Sequence, residues 1–224
     1  MIEKLRQNPQ FESMKHAIGF QREYWNNRAQ TGSVKASSSA LAQAMVEPFW
    51  NEPCNGDVLE VGSGTGVISE QLLRRMKAED KLTIIEINLN FLEITQRKMA
   101  QKFADEELTG RVSFVHADFL QHQMPAEQFS HICCSLPFNN FEPELINDIF
   151  QEMFRVCQPG GIIVFYEYIL LRRIRYWLSL GRLHKLKNTE AVLTDWIDKH
   201  VVESTPIFSN FPPAMVYVLR KPKS

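Results

Sequence analysis

Short apolar segments alternate with amphipathic ones between residues 58 and 168 of this 224-residue chain. The apolar segments are expected to be strands at 58–61, 82–85, 112–115, 130–135 and 162–168. The amphipathic segments are expected to be helices at 67–76, 90–103 and 142–156, the last stopped by Pro159, Gly160 and Gly161. Because the strands are apolar on both faces, they predict an α/β fold with a doubly wound parallel sheet.

The flanking segments add to this core. An amphipathic helix is expected over 10–27, and a second is expected to be capped at 37–39 and to bury Leu41, Ala44, Met45 and Phe49. Residues 201–222 contain two strand-like stretches, which predict an antiparallel edge hairpin. The expected organisation is a helical cap over 1–50 and one domain over 51–224, with a basic amphipathic insert at about 169–190.

The charge distribution is uneven although the net charge is only −1. Residues 51–168 carry a net charge of −9, and the flanks together carry +8. Residues 168–189 contain no acid, and six basic residues there alternate with Leu, Ile, Tyr and Trp. This pattern favours contact with an anionic membrane surface. A helix with a solvated basic side and a nucleic-acid contact are the alternatives.

The remaining composition bears on location. No apolar run approaches the roughly 20 residues that cross a bilayer, and the first residues lack the apolar block of a secretory signal. The four cysteines form no CxxC pair, so reduced thiols are expected, and the histidines lack metal-ligand spacing. We expect a cytoplasmic protein without a metal, peripheral on the inner face of the cell membrane.

A glycine-rich segment follows the first strand. Glu60 precedes Gly62, Ser63, Gly64 and Gly66, and Glu86 ends the second strand 20 residues after Gly66. In such sheets ligands bind at the carboxyl ends of the strands, where glycines allow close approach and a carboxylate accepts ribose hydroxyls.

Three details distinguish the ligand from a dinucleotide. Val67 stands where the dinucleotide motif needs Gly or Ala, and Glu60 suits a cationic amino-acid ligand but repels pyrophosphate. Asp118 and Phe119 end the third strand, where they can accept an adenine amine and cover its ring. These residues together resemble the class I S-adenosylmethionine-dependent methyltransferases. The resemblance implies a Rossmann-like, seven-stranded, mostly parallel sheet with an antiparallel C-terminal strand, and S-adenosyl-L-homocysteine as product. It also implies cofactor contacts from Glu60, Gly62, Ser63, Gly64, Gly66, Glu86, Ile87, Asp118, Phe119, Ser135 and Leu136.

The end of the fourth strand resembles the loop that holds the amino group in nucleic-acid amine methyltransferases. Ser135 replaces the Asn or Asp of that loop, which argues against a nucleobase substrate. The loop together with segments 31–45, 159–161 and 211–214 resembles the bacterial phospholipid N-methyltransferases over about residues 20–220. That family converts phosphatidylethanolamine towards phosphatidylcholine. Phe138 and the two asparagines depart from its usual leucine-rich loop.

Methylation of an amine requires loss of a proton and a site for a growing cation. The amine of ethanolamine has a pKa of roughly 10, near that of lysine, so a proton acceptor is needed. A quaternary product is held by aromatic faces. The predicted catalytic residues are Tyr24, Ser135 and Tyr166, and the predicted substrate-binding residues are Phe138, Asn139, Glu167, Arg172 and Arg173. We expect a monomer that binds a phospholipid. An RNA adenine N-methyltransferase and a lipid-binding protein without turnover are the alternatives.

Overall fold

The computed structural model describes residues 33–51, 56–138, 141–169, 183–210 and 212–223. Helices α1 (Ser33–Val46) and α2 (Pro48–Asn51) precede the sheet. The first half of the sheet and its connections are β1 (Asp57–Val61), α3 (Val67–Leu73), β2 (Leu82–Glu86), α4 (Leu89–Lys102), α5 (Asp105–Leu108) and β3 (Val112–His116). The second half comprises β4 (Phe129–Cys134), α6 (Pro143–Val156), β5 (Cys157–Tyr168), α7 (Leu183–His200), β6 (Val201–Ile207) and β7 (Ala214–Arg220).

The seven strands form one sheet in the order β3-β2-β1-β4-β5-β7-β6. Strands β1 to β5 run parallel, whereas β7 is antiparallel to both β5 and β6. The chain moves outward from β1 to β3 and then returns to β4, so the winding reverses between β1 and β4. The predicted doubly wound, seven-stranded sheet with a C-terminal antiparallel hairpin is confirmed. The helix expected over 10–27 lies outside the described residues.

Two cores cover the two faces of this sheet. Val58, Ile84 and Cys133 belong to a cluster that includes buried residues of α1, α3 and α4. Leu59, Ile85 and the other alternate strand residues belong to a cluster that includes α6 and Leu193 of α7. Successive side chains of a strand point to opposite faces, so strands buried on both sides are apolar at nearly every position.

Several boundaries differ from the expected ones. Helix α1 begins at Ser33, so residues 37–39 lie within it and do not cap it. Helix α3 ends at Leu73 and not at residue 76. The N–H of Arg75 donates to the Leu72 carbonyl three residues back at 3.0 Å, so the α-helical hydrogen-bond pattern is replaced by a tighter turn there. Helix α6 ends at Val156, before the Pro-Gly-Gly segment, which lies inside β5.

That segment remains extended because it pairs with the end of the chain. Gly160 has a φ of +78°, its N–H donates to the Lys221 carbonyl at 3.0 Å, and Lys221 returns a hydrogen bond to Gly161. The β4–β5 register shifts at the same level. The segment therefore forms an irregularity at the amino end of β5, opposite to the edge where a ligand is expected. Among the helices built from described residues, none is long and apolar enough to cross a membrane.

Candidate functional site: a glycine loop at the reversal of the sheet

The glycine loop joins β1 to α3 beside the point where the winding reverses. The Gly62 N–H donates to the Ile85 carbonyl of β2 at 2.9 Å, and a Cβ on Gly62 would lie 2.9 Å from Cδ2 of Leu136. Ser135 continues the contact, since its N–H donates to the Val61 carbonyl at 2.9 Å. The loops after β1 and β4 are thus in direct contact, as the predicted site requires.

Gly64 forms the open part of this loop. Its φ of +54° is left-handed, and a Cβ built on it would meet no atom within 4 Å. The neighbouring Gly66, also left-handed, has no such freedom, because its Cβ would lie 2.9 Å from the side chain of Thr95. Glycine at position 64 therefore leaves room for a ligand, whereas glycine at position 66 allows the loop to pack on α4.

Glu86 connects the end of β2 to this loop. One carboxylate oxygen accepts from the Gly64 N–H at 3.0 Å and the other accepts from the Asn88 N–H at 2.9 Å. Burial raises the pKa of this carboxyl, against the opposing effect of these backbone donors. Each carboxylate oxygen accepts more than one hydrogen bond, so the predicted role towards ribose hydroxyls is compatible with this geometry.

Glu60 is completely buried on the face of the sheet that packs on α1 and α3. Neither of its carboxylate oxygens has a hydrogen-bond partner among the described residues, and the same holds for the buried hydroxyl of Ser69 in α3. Burial raises the pKa of Glu60 to about 7. The nearby hydroxyl and N–H of Ser69 and the charge of Lys98 oppose the rise, and the charge of Glu86 adds to it. A buried carboxylate without a partner is costly, so the chemistry of this position fits a cationic ligand.

The third strand contributes the other predicted end of the ligand site. One oxygen of Asp118 accepts from the Leu120 N–H at 3.0 Å, and burial raises the pKa of this carboxyl. Phe119 is buried in the core on the α6 side, and Ile87 packs against the same core. Asp118 retains acceptor capacity, so a contact with an adenine amine stays a prediction supported by its position.

The residues predicted to contact the methyl acceptor lie at the ends of β4 and β5. The Ser135 hydroxyl is buried and has no partner among the described residues. Tyr166 and Glu167, near the carboxyl end of β5, are both buried. Since successive strand residues alternate, Tyr166 lies on the α1 side with Val164 and Glu167 points to the opposite face. The side chains of Tyr166 and Glu167 therefore lie on opposite faces of the sheet near its carboxyl edge.

Phe138 lies in the core on the α6 side of the sheet. Its side chain is 1% exposed and stacks on Phe150 at a centroid distance of 5.1 Å. The rings of Phe141 and Phe165 meet it edge-on at 6.2 and 5.5 Å. The ring therefore packs among other aromatic rings of the core, and its predicted substrate contact stays a prediction. Tyr24, Asn139, Arg172 and Arg173 lie outside the described residues.

Helix α4 supports the glycine loop through residues that the sequence analysis did not select. The Thr95 hydroxyl donates to the Gly64 carbonyl at 3.1 Å and lies 3.5 Å from the Ser63 hydroxyl. The Lys98 ammonium donates to the Gly66 carbonyl at 3.2 Å. The available signal was a polar Thr95 in the buried stripe of α4, between Leu92 and Met99. Over the described part of the chain, no group of His, Cys, Asp and Glu could hold a metal ion.

The comparisons with known proteins agree with this geometry. Residues 58–161 match a family model described as a methyltransferase domain. The structure resembles the N-methyltransferase NodS from Bradyrhizobium japonicum WM9 in complex with S-adenosyl-L-homocysteine, with a TM-score of 0.60 and 16% identity over 88% of this chain and 91% of that chain. Residues 58–161 therefore correspond to a methyltransferase domain, and the sheet has the fold of the class I S-adenosylmethionine-dependent methyltransferases.

The curated relatives share only part of their length with this domain. The sterol 24-C-methyltransferase erg6 of Aspergillus fumigatus is 29% identical over 135 residues, which cover 55% of this chain and 33% of the relative. A ubiquinone/menaquinone biosynthesis C-methyltransferase of Pseudomonas paraeruginosa is 27% identical over 111 residues, which cover 50% of this chain and 41% of the relative. The matched portion is therefore less than half of either relative.

S-adenosylmethionine is the cofactor that this methyltransferase fold implies, since the similar NodS structure holds S-adenosyl-L-homocysteine. Two observations of the structure fit it: the carboxylate of Glu60, which has no hydrogen-bond partner among the described residues and suits a cationic group, and the open space at Gly64. Glu86 and Asp118 add acceptors at the ends of β2 and β3. The predicted cofactor residues on the first three strands thus converge on one edge of the sheet.

Proposed function

We propose that this domain methylates the amine head group of a phospholipid, converting phosphatidylethanolamine towards phosphatidylcholine at a membrane surface. The observation that carries the proposal is where the acid-free basic segment begins. β5 ends at Tyr168 on the same edge of the sheet as the glycine loop, and residues 168–189 contain six basic residues and no acid. Cations that follow directly from this edge can bind lipid phosphates near the site.

The neighbouring end of β7 supports the same substrate class. The Ile169 N–H donates to the Pro213 carbonyl at 2.9 Å, so the start of the basic segment is tied to the Phe-Pro-Pro segment before β7. That segment is among the specific parts of the resemblance to phospholipid N-methyltransferases. The names of two relatives refer to C-methylation of a sterol and in ubiquinone/menaquinone biosynthesis, so both involve lipophilic compounds, and the name of NodS describes an N-methyltransferase.

The residues of this chain would prepare the amine. When bound, S-adenosylmethionine supplies the methyl group and a neutral thioether leaving group. The amine nitrogen must lose its proton to present a lone pair, and the site must align that lone pair. Tyr166 and Glu167 lie near the carboxyl edge of β5 and are the described candidates for accepting the proton, with Tyr24 as a further candidate. The Ser135 hydroxyl, which has no hydrogen-bond partner in the described part of the chain, can orient the nitrogen.

A labelling experiment tests the acceptor. The protein is incubated with methyl-labelled S-adenosylmethionine and one of three acceptors: vesicles of phosphatidylethanolamine with phosphatidylglycerol, vesicles of phosphatidylglycerol alone, or total RNA. We expect label in the lipid extract of the first sample only, as methylated forms of phosphatidylethanolamine. Label in RNA alone, or no transfer to lipid by protein that binds the cofactor, would overturn the proposal.

A charge-reversal experiment tests the membrane contact. Each basic residue near an anionic surface contributes about 1 kcal/mol, and the attraction decays over roughly 8 Å at physiological salt. The test variant is Arg172→Glu, Arg173→Glu, Arg175→Glu, and the control with the same change in net charge is Lys77→Glu, Lys81→Glu, Arg97→Glu, at exposed positions of the central region. We expect only the test variant to lose sedimentation with anionic vesicles while its cofactor affinity is retained. Equal sedimentation of both variants would exclude the basic segment as the contact.

A further inference from the structure

Both backbone groups of Gly64 are held from within the protein. Its N–H donates to Glu86 at 3.0 Å, and its carbonyl accepts from the hydroxyl of Thr95 at 3.1 Å. Thr95 is completely buried, so this hydroxyl cannot exchange its partner for bulk water. The Cβ position of Gly64 is also open towards the site. The two peptide groups that flank Gly64 are thus fixed, one by Glu86 of β2 and the other by Thr95 of α4.

Lys98 extends this support one turn further along α4. Its ammonium lies 3.2 Å from the Gly66 carbonyl and 3.5 Å from the Thr65 carbonyl. The carbonyls of three successive loop residues, 64 to 66, therefore accept hydrogen bonds from one helix face. In a trans peptide the carbonyl and the following N–H point in opposite directions. Drawing the Gly64 carbonyl towards α4 consequently turns the Thr65 N–H away from that helix.

Lys102 provides an internal comparison. Lys98 and Lys102 lie on the same side of α4, and both contact Glu70 of α3, at 3.4 and 2.6 Å respectively. Lys98 also contacts the loop carbonyls, whereas the contact described for Lys102 is with Glu70. The role of the glycine loop can therefore be separated from the role of the ion pair between the two helices.

We propose that Thr95 and Lys98 are positioning residues that hold the glycine loop in the conformation that receives S-adenosylmethionine. They act through the loop carbonyls and touch no reacting atom. A loop without these bonds would sample other peptide orientations. The free-energy cost of ordering the loop on binding would then weaken the affinity for the cofactor. The proposal concerns the cofactor and holds for any methyl acceptor.

The test measures affinity for S-adenosylmethionine and S-adenosyl-L-homocysteine by calorimetry. Thr95→Val keeps the shape and removes the hydroxyl, and Thr95→Ser restores the hydroxyl. Lys98→Met removes the donor to the loop, and Lys102→Met is the matched control. We expect Thr95→Val and Lys98→Met each to weaken both ligands by about two- to tenfold, the scale of one hydrogen bond, with most of the loss recovered in Thr95→Ser and less than about twofold change in Lys102→Met.

Unfolding in urea separates positioning from stability. Lys98→Met and Lys102→Met both lose a contact with Glu70, so a purely structural role predicts that affinity changes in proportion to stability in both. Equal affinity losses in the two lysine variants, or wild-type affinity in Lys98→Met, would overturn the proposal. If Thr95→Val does not fold, the two lysine variants still decide it. Cofactor binding needs no acceptor, so these results are independent of the phospholipid assay.

Discussion

Replacing Glu60 by glutamine should stabilise the protein without cofactor and weaken its binding of S-adenosylmethionine. The wild-type carboxyl is completely buried without a hydrogen-bond partner among the described residues, and its pKa is about 7 against an ordinary value of 4.5. A carboxyl whose pKa is raised by folding destabilises the folded state as pH increases from the ordinary value through the raised one. Glutamine has a similar shape and carries no charge, so it removes this dependence.

The magnitude follows from the two pKa values. A rise from 4.5 to about 7, at about 1.4 kcal/mol per pH unit, amounts to about 3 kcal/mol lost above pH 7. The glutamine amide is itself buried without a described partner, which costs about 1–2 kcal/mol. A net gain of about 1–2 kcal/mol remains, or roughly 2–8 °C in melting temperature for a chain of this size.

Thermal melts at pH 5 and pH 8, without and with S-adenosylmethionine, provide the measurement. The free variant should be more stable than wild type at pH 8 and no more stable at pH 5, where the wild-type carboxyl is protonated. A bound cation favours ionised Glu60, so wild-type affinity should rise towards tenfold per pH unit below about 7 and level off above it. Glu60→Gln should lose this slope. Wild-type affinity and an unchanged pH profile in the variant would refute the assignment of Glu60 to the cofactor site.

Four further predictions follow from individual positions. Gly64→Ala and Gly110→Ala each place a Cβ in open space at a left-handed φ, at a strain of about 1–2 kcal/mol, but only the former should weaken S-adenosylmethionine binding in calorimetry. Glu86→Ala should weaken it by about 2 kcal/mol, the scale of a hydrogen bond to a charged group, and unchanged affinity would place the site elsewhere. Phe138→Ala should lower the free energy of unfolding by about 3–5 kcal/mol in urea titrations, as expected for a buried ring. Burial opposes the ionisation of Glu70, but hydrogen bonds from neighbouring basic side chains lower its pKa to about 2. The free energy of unfolding should therefore fall as the pH decreases from 4.5 towards 2. Glu70→Gln should reduce this pH dependence when unfolding is measured over the same pH range.

Local pattern was sufficient for the fold and for placing the glycine loop beside Glu86. Strands apolar on both faces, alternating with helices, favour a parallel sheet covered by helices, because such a sheet buries both faces of each strand. The glycine loop after β1 and Glu86 after β2 could be placed together because the carboxyl ends of parallel strands meet at one edge. Their contact, Gly64 N–H to Glu86 at 3.0 Å, joins residues 22 positions apart.

The structure alone decided which side chains are free to act. Phe138 and Tyr166 are both aromatic residues at strand ends, and no periodicity shows that the first is enclosed by other rings of the core. Thr95 is 31 positions from Gly64, and no pattern shows that both carboxylate oxygens of Glu60 lack a hydrogen-bond partner among the described residues. A sequence pattern shows which face of an element is buried. The neighbours on that face come from other elements, and these neighbours determine whether a buried polar group is satisfied, supports a loop or remains available to a ligand.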